Sequence, residues 1–343
     1  MALSGLQVTA MLTPEAITGH LDALAKPVGS MGRLEQLAAD LARIQQRLDP
    51  VTHPRRLILF AADHGVVADG VSAWPQAVTG AMMATIAAGK ATCCALAAAH
   101  ACALELVDAG AAFPPPGVAP PPPELLAGGT ASLALGPAMT AAQFAAAWAL
   151  GESAGQRAAA DGVAVLLLGE MGICNTTPAA CLSILLAGAS GAVATGRGAG
   201  ADDAALARKQ AIVTAAATRA DGLLSDDPRA AIAEVAGFEI IAMAGCFAEA
   251  ARRGITVLLD GYVATAAALV AERLCPGTAA MMIAGHRSAE PCHAAALAQL
   301  GLVPLLEWEM RLGEGSGALV ALPLLDSAAA LIGKVALLSE ITG

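Results

Sequence analysis

Five short apolar runs in this 343-residue sequence end on polar groups beside glycine. Residues 57–62 lead into Asp63-His64-Gly65, 104–107 into Asp108-Ala109-Gly110, and 163–168 into Gly169-Glu170-Met171-Gly172. Residues 255–259 lead into Asp260-Gly261, and 281–283 into Gly285-His286-Arg287-Ser288. One such ending is only the polar start of a loop. Five in one chain point to a shared site, in which carboxylates accept hydrogen bonds from hydroxyls and glycines let the backbone approach a ligand. Helix N-termini that follow would offer N–H groups to an anion. A sixth candidate lies near the C-terminus, Arg311-Leu312-Gly313-Glu314-Gly315-Ser316-Gly317, just before an apolar helical stretch at 318–325. N–H groups of that helix would lower the pKa of the Glu314 carboxyl, and an apolar pocket would raise it. Capping the helix is its competing role. Glycine on both sides favours chemistry, since a cap needs no such backbone freedom.

These residues need a frame that gathers them along one edge. From about residue 56 short β-runs alternate with Ala-rich helices, the pattern of a parallel α/β sheet, whose strands all present their C-terminal ends to the same crevice. Residues 13–48 read differently: Leu21, Leu24, Leu34, Leu37, Leu41 and Ile44 recur at helical spacing, broken once at 26–32. Pro114–Pro116 and Pro120–Pro123 predict an extended surface connector.

Composition excludes several classes. Lys and Arg total 19 against 29 Asp and Glu, a net charge of −10, with no basic run, which argues against nucleic acid or an anionic membrane surface as partner. With 57% hydrophobic and 14% charged residues, disorder is excluded. The longest uncharged stretch, 171–196, is long enough to span a bilayer, but it holds Asn175, Thr176, Thr177 and Pro178 and is otherwise mostly Ala, so a buried strand and helix are expected. Residues 1–18 show no basic segment followed by an apolar core, so a cytoplasmic protein is expected. Eight cysteines without C-x-x-C or a histidine at metal spacing read as buried thiols, with no metal site. Gly196-Arg197-Gly198-Ala199-Gly200 lacks dinucleotide-fingerprint spacing, and Gly89-Lys90 lacks the rest of a phosphate-binding loop. Asp202-Asp203 reads as a helix start.

Taken together, the segments resemble one family. Lys26-Pro27-Val28-Gly29-Ser30-Met31-Gly32-Arg33-Leu34-Glu35, Ala62-Asp63-His64-Gly65-Val66, Gly169-Glu170-Met171-Gly172-Ile173, the 196–200 loop, Leu259-Asp260-Gly261, His286-Arg287-Ser288-Ala289-Glu290-Pro291 and Arg311-Leu312-Gly313-Glu314-Gly315 occur in its order. The chain resembles nicotinate-nucleotide–dimethylbenzimidazole phosphoribosyltransferases from about residue 13 to its end. The resemblance implies transfer of the phosphoribosyl group of nicotinate mononucleotide to 5,6-dimethylbenzimidazole, giving α-ribazole 5′-phosphate and nicotinate in cobalamin synthesis. It implies a Rossmann-like parallel sheet flanked by helices at 51–299, with a small helical domain built from 1–50 and 300–343. A homodimer without metal or cofactor is implied too. Glu314 would be the general base. Gly172, Thr176, Gly198, Gly200, Lys209 and Ser288 would surround the phosphate, Glu170 and Asp260 the ribose, and Gly261 and Gly313 would complete the donor site. Ser72, Trp74, Gln76, Met82 and Met83 would form the base pocket, where an aromatic and two methionines suit a flat apolar ring. His64 and His286 are expected in the site wall.

Two positions depart from the family pattern: Cys174 and Cys292 stand where glycine is usual. A positive φ at either would strain a cysteine, and a thiol pair could close across the site. Two rival functions stay open on sequence alone: the same chemistry on another benzimidazole, adenine or a phenol, and a protein that binds nucleotides or bases without turnover.

Overall fold

The computed structural model describes residues 11–126, 128–189, 195–198, 200 and 202–342. The first ten residues, 190–194 of the uncharged stretch, and Ala199 of the glycine-rich loop lie outside the described residues. The chain divides into two compact units, one of 1–52 with 323–343 and one of 53–322.

In the larger unit five strands form one parallel sheet: β1 (Arg55–Ala61), β2 (Ala103–Asp108), β3 (Val165–Met171), β4 (Thr256–Leu259) and β5 (Met282–Ala284), in the order β2-β1-β3-β4-β5. Each strand coincides with one of the apolar runs to within a few residues. Order reverses between β1 and β3, the place where open α/β sheets leave a crevice for a ligand. The central strands are buried on both faces, with Leu57 to Ala61 and Val165 to Leu168 almost wholly out of solvent. Such continuous apolar runs are what a sheet covered by helices on both sides requires.

Helices supply the covering layers with small side chains. Ala141–Ala160 starts at a capping box, in which Thr140 accepts from the Gln143 N–H and the Gln143 side chain answers the Thr140 N–H. This helix lies against Phe238–Arg252 so closely that a side chain at Gly151 would collide with the Ala242 carbonyl. Close backbone approach is how a chain with 3% aromatics fills its core. Asp202 caps Asp203–Leu224 by accepting from the Ala205 N–H at 2.7 Å, so the acidic pair does start a helix. Within the uncharged stretch Met171 ends β3 and Thr176–Ala187 form a helix, whose 12 residues are too few to cross a bilayer. By length and composition alone, Ala77–Ala99 and Ser316–Lys334 are long and apolar enough to do so, with 28% and 50% of those windows buried.

The smaller unit contains the helices Pro14–Ala23 and Arg33–Gln45, separated by the expected break. Their apolar faces bury Ile17, Leu21, Leu37, Leu41 and Ile44. The break is pinned by Glu35, which pairs with Lys26 at 2.8 Å and accepts from the Met31 N–H at 3.0 Å.

Candidate active site

At the C-terminal edge of the sheet lies a cavity of about 500 Å³. That is the size range of small-molecule sites. The polar strand ends divide into two kinds. Glu170 of β3, Asp260 after β4 and His286 after β5 stand on its wall. Asp63 and Asp108 instead tie loops. Asp63 accepts from Thr79 Oγ1 at 2.7 Å and the Ala112 N–H at 2.8 Å, while Thr79 accepts from the Ile173 N–H at 3.1 Å. That network fixes the helix Ala77–Ala87 beside the β3 loop, and Met82 on this helix faces the cavity. Asp108 accepts from the Gly110 and Ala111 N–H groups, both at 2.8 Å.

Glu314 enters from a turn with three successive left-handed residues, Gly313 (φ 85°), Glu314 (φ 60°) and Gly315 (φ 74°). For a non-glycine residue that conformation costs on the order of 1–3 kcal/mol and must be held by its surroundings. The holder is Asp260, whose carboxylate accepts from the Gly315 N–H at 3.2 Å and the Ala318 N–H at 3.0 Å. Asp260 therefore performs the capping that Glu314 was a candidate for. A side chain on Gly169 of β3 would come within 2.7 Å of the Glu314 carbonyl carbon, so the glycine in the strand lets the turn lie against the sheet. The Glu314 side chain lines the cavity, only 4% exposed, and its Oε2 has no hydrogen-bond partner among the described residues. Burial raises the pKa of its carboxyl; hydrogen bonds from Cys93 pull it back and the Asp260 charge adds to the rise. A desolvated carboxylate with a free oxygen is suited to removing a proton from a bound ring.

Beside it, Glu170 is buried and raised well above the ordinary carboxyl value, first by desolvation and then by Asp260 and Glu239, with an opposing hydrogen bond from the Asn175 amide. Trp74, Val78, Met82 and Leu312 form an apolar stretch of the same wall, and Trp74 is half exposed. Gly172, Thr176, Gly198, Gly261, Ser288 and Gly313 line the cavity too.

Lys209 lies in a small adjoining cavity of about 60 Å³, which shares Thr176 and Gly198 with the large one and is also lined by Ser72 and Cys174. Its ammonium donates to Thr176 Oγ1 at 2.8 Å and the Gly196 carbonyl at 3.1 Å. Burial lowers the Lys209 pKa, and the facing Glu290 carboxylate works against that. Glu290 and Arg311 on the cavity wall were not among the expected site residues.

Four expected residues besides Lys209 stand off the large cavity. Ser72, expected at the acceptor base, lines the Lys209 cavity instead. Met83 is fully buried in the core, because adjacent residues of one helix point about 100° apart and Met82 takes the cavity side. The Gln76 amide donates to the Gly128 carbonyl at 3.1 Å. Gly200 is exposed and bonds through its N–H to the Arg197 carbonyl at 3.2 Å. His64 sits behind the wall, 3.0 Å from Glu239. Burial acts to lower its imidazole pKa, but Glu239 and Asp63 outweigh this and leave it raised. Of the departures from the family pattern, Cys174 has φ 80° and Cys292 has φ −91°, so only the first is strained. All eight cysteines are free thiols.

A phosphoribosyltransferase family model matches residues 10–341. The chain is 47% identical over 322 residues to the nicotinate-nucleotide–dimethylbenzimidazole phosphoribosyltransferase of Ralstonia nicotianae, covering 92% of this chain and 89% of that protein. It is 44% identical to the protein of the same name from Ectopseudomonas mendocina, covering 92% and 90%. The crystal structure of CobT from Thermus thermophilus superposes with a TM-score of 0.88 at 40% identity, covering 96% of this chain and 98% of that one. The chain belongs to the nicotinate-nucleotide–dimethylbenzimidazole phosphoribosyltransferase family.

Proposed function

We propose that this chain transfers the 5-phosphoribosyl group of nicotinate mononucleotide to 5,6-dimethylbenzimidazole, releasing nicotinate and α-ribazole 5′-phosphate for cobalamin synthesis. The observation that carries the chemistry is the buried Oε2 of Glu314 on the cavity wall, which has no hydrogen-bond partner among the described residues. One benzimidazole nitrogen attacks ribose C1′ as the C1′–N bond to nicotinate breaks. The other nitrogen loses its proton to Glu314. The leaving pyridine nitrogen is already quaternised, so no acid is needed to expel it, and attack from the opposite face inverts C1′ from β to α. What remains for the protein is positioning and electrostatics.

In this reading Trp74 and Met82 flank the flat acceptor ring, and Glu170 accepts from ribose hydroxyls. Thr176, Lys209 and Ser288 meet the phosphate. Asp260 is in the first place the anchor of the Glu314 turn, since both its oxygens already accept backbone N–H groups. Net charge and family membership favour small-molecule substrates over nucleic acid or a bilayer, and a cytoplasmic homodimer fits the reading. The test incubates the protein with nicotinate mononucleotide and a panel of bases (5,6-dimethylbenzimidazole, benzimidazole, adenine, a phenol) and follows nicotinate release. Release that depends on 5,6-dimethylbenzimidazole, with α-ribazole 5′-phosphate formed in equal amount, is the expected result. No release with any base contradicts the proposal.

A further inference from the structure

Ser288 and Gly261 reach the cavity wall from the loops after neighbouring strands, β5 and β4, whose ladder ends at the bond from the Gly285 N–H to the Leu259 carbonyl, 2.8 Å, before either residue is reached. One side chain off the wall links the two loops, one directly and the other through a hydroxyl. His293, fully buried at the start of the helix His293–Gln299, accepts from the Ser288 N–H through Nδ1 at 2.7 Å. Its Nε2 lies 2.8 Å from Thr265 Oγ1, and that hydroxyl donates to the Gly261 carbonyl at 2.9 Å. The hydroxyl hydrogen is committed to Gly261, so the Thr265 oxygen must accept from Nε2–H. A backbone N–H already points at Nδ1. Both ends therefore demand the same tautomer, with the proton on Nε2. The rings of Tyr262 and His286 pack on the imidazole edge to face, with centroids 6.2 and 6.1 Å away, and the two hydrogen bonds select its orientation. Burial, with the nearby His286 and Arg287, pushes its pKa down to about 3, so the relay persists across the physiological range.

We propose that His293 is a positioning residue for the donor nucleotide: one imidazole, bonded to the Ser288 loop and through Thr265 to the Gly261 loop, braces the two beyond the end of the β4–β5 ladder. This role rests on the reading of those loops as the donor site. On that same reading the acceptor ring lies against Trp74 and Met82, away from both loops, so a fault in the relay should weaken donor binding and leave the base and the chemical step alone.

The test measures dissociation constants for nicotinate mononucleotide with no base present, then KM for each substrate and kcat. Leaving a buried donor unsatisfied, or losing a hydrogen bond, weakens binding by roughly five- to tenfold. His293→Ala should therefore weaken nicotinate mononucleotide about tenfold and Thr265→Val about fivefold, with kcat and the KM for 5,6-dimethylbenzimidazole within twofold of wild type. Thr265→Ser should restore binding. Because the two residues act in one relay, the double variant should be no worse than His293→Ala, and an effect equal to the product of the single ones overturns the proposal. Nitrogen NMR of the labelled imidazole should show a proton on Nε2 alone at pH 7. The other tautomer, or a charged ring, also overturns it, and this reading survives if His293→Ala fails to fold. If wild type binds nicotinate mononucleotide and His293→Ala binds it equally, this role alone is wrong. If wild type does not bind it, the donor-site reading fails and takes this role with it, whatever the tautomer.

Discussion

Replacing Asp260 by Asn separates two roles for that residue. The carboxylate accepts from the N–H groups of Gly315 and Ala318, and these two bonds hold the left-handed turn that aims Glu314 into the cavity. Asn keeps one acceptor and turns an NH2 toward the other N–H, so one hydrogen bond to a charged group is lost. Such a bond is worth about 1.5–3 kcal/mol. If the loss is felt in aiming Glu314 at the transition state, kcat falls about 10- to 150-fold, at 1.36 kcal/mol per decade. The substitution also removes a negative charge that raises the Glu314 pKa. A base works only when deprotonated, so the acid limb of the kcat profile should move to lower pH. The assay is nicotinate release at saturating substrates from pH 5 to 9, with the KM of each substrate measured alongside. A raised KM for nicotinate mononucleotide with unchanged kcat would refute the argument and return Asp260 to a ribose-binding role. A lowered melting temperature with unchanged kinetics would reduce it to a helix cap.

The two family departures should respond with opposite sign in urea titrations. Cys174→Gly relieves a left-handed cysteine and should stabilise by up to about 1 kcal/mol after the entropy of glycine is set against it, whereas Cys292→Gly, at φ −91°, gains nothing and should destabilise. Equal effects would mean that φ at 174 is not strained. The Glu170 carboxyl is raised in the folded protein, so the stability it contributes is full below the unfolded value of about 4.3 and is lost as pH rises through the folded one. Glu170→Gln cannot ionise, and its stability relative to wild type should climb from pH 4 to pH 8. Parallel stability curves would contradict the assigned burial of that charge.

Much of the frame was legible because the strands are buried on both faces, which forces continuous apolar runs, and because a run that meets the site edge must change to polar residues and glycine. The turn chemistry at Gly313-Glu314-Gly315 was legible for a similar reason, since glycines around a carboxylate mark backbone that cannot be helix or strand. What the sequence hid are pairings across long separations. Nothing near Asp260 announces that it caps a helix beginning at Ser316, and nothing near His293 announces Thr265. Met82 and Met83 are equal in type and adjacent, so only the packing of their helix decides which faces the cavity. Lys209 sits mid-helix, and its burial depends on the glycine-rich loop folding back over it to supply the Gly196 carbonyl.

The central claim is that Glu314 takes the acceptor's proton, and Glu314→Gln tests it most directly by removing the base while keeping the side chain's shape and one acceptor oxygen. Saturating turnover should fall at least ~100-fold, the scale of general-base catalysis, while nicotinate mononucleotide still binds within a few-fold of wild type. Turnover within a few-fold of wild type would contradict the account.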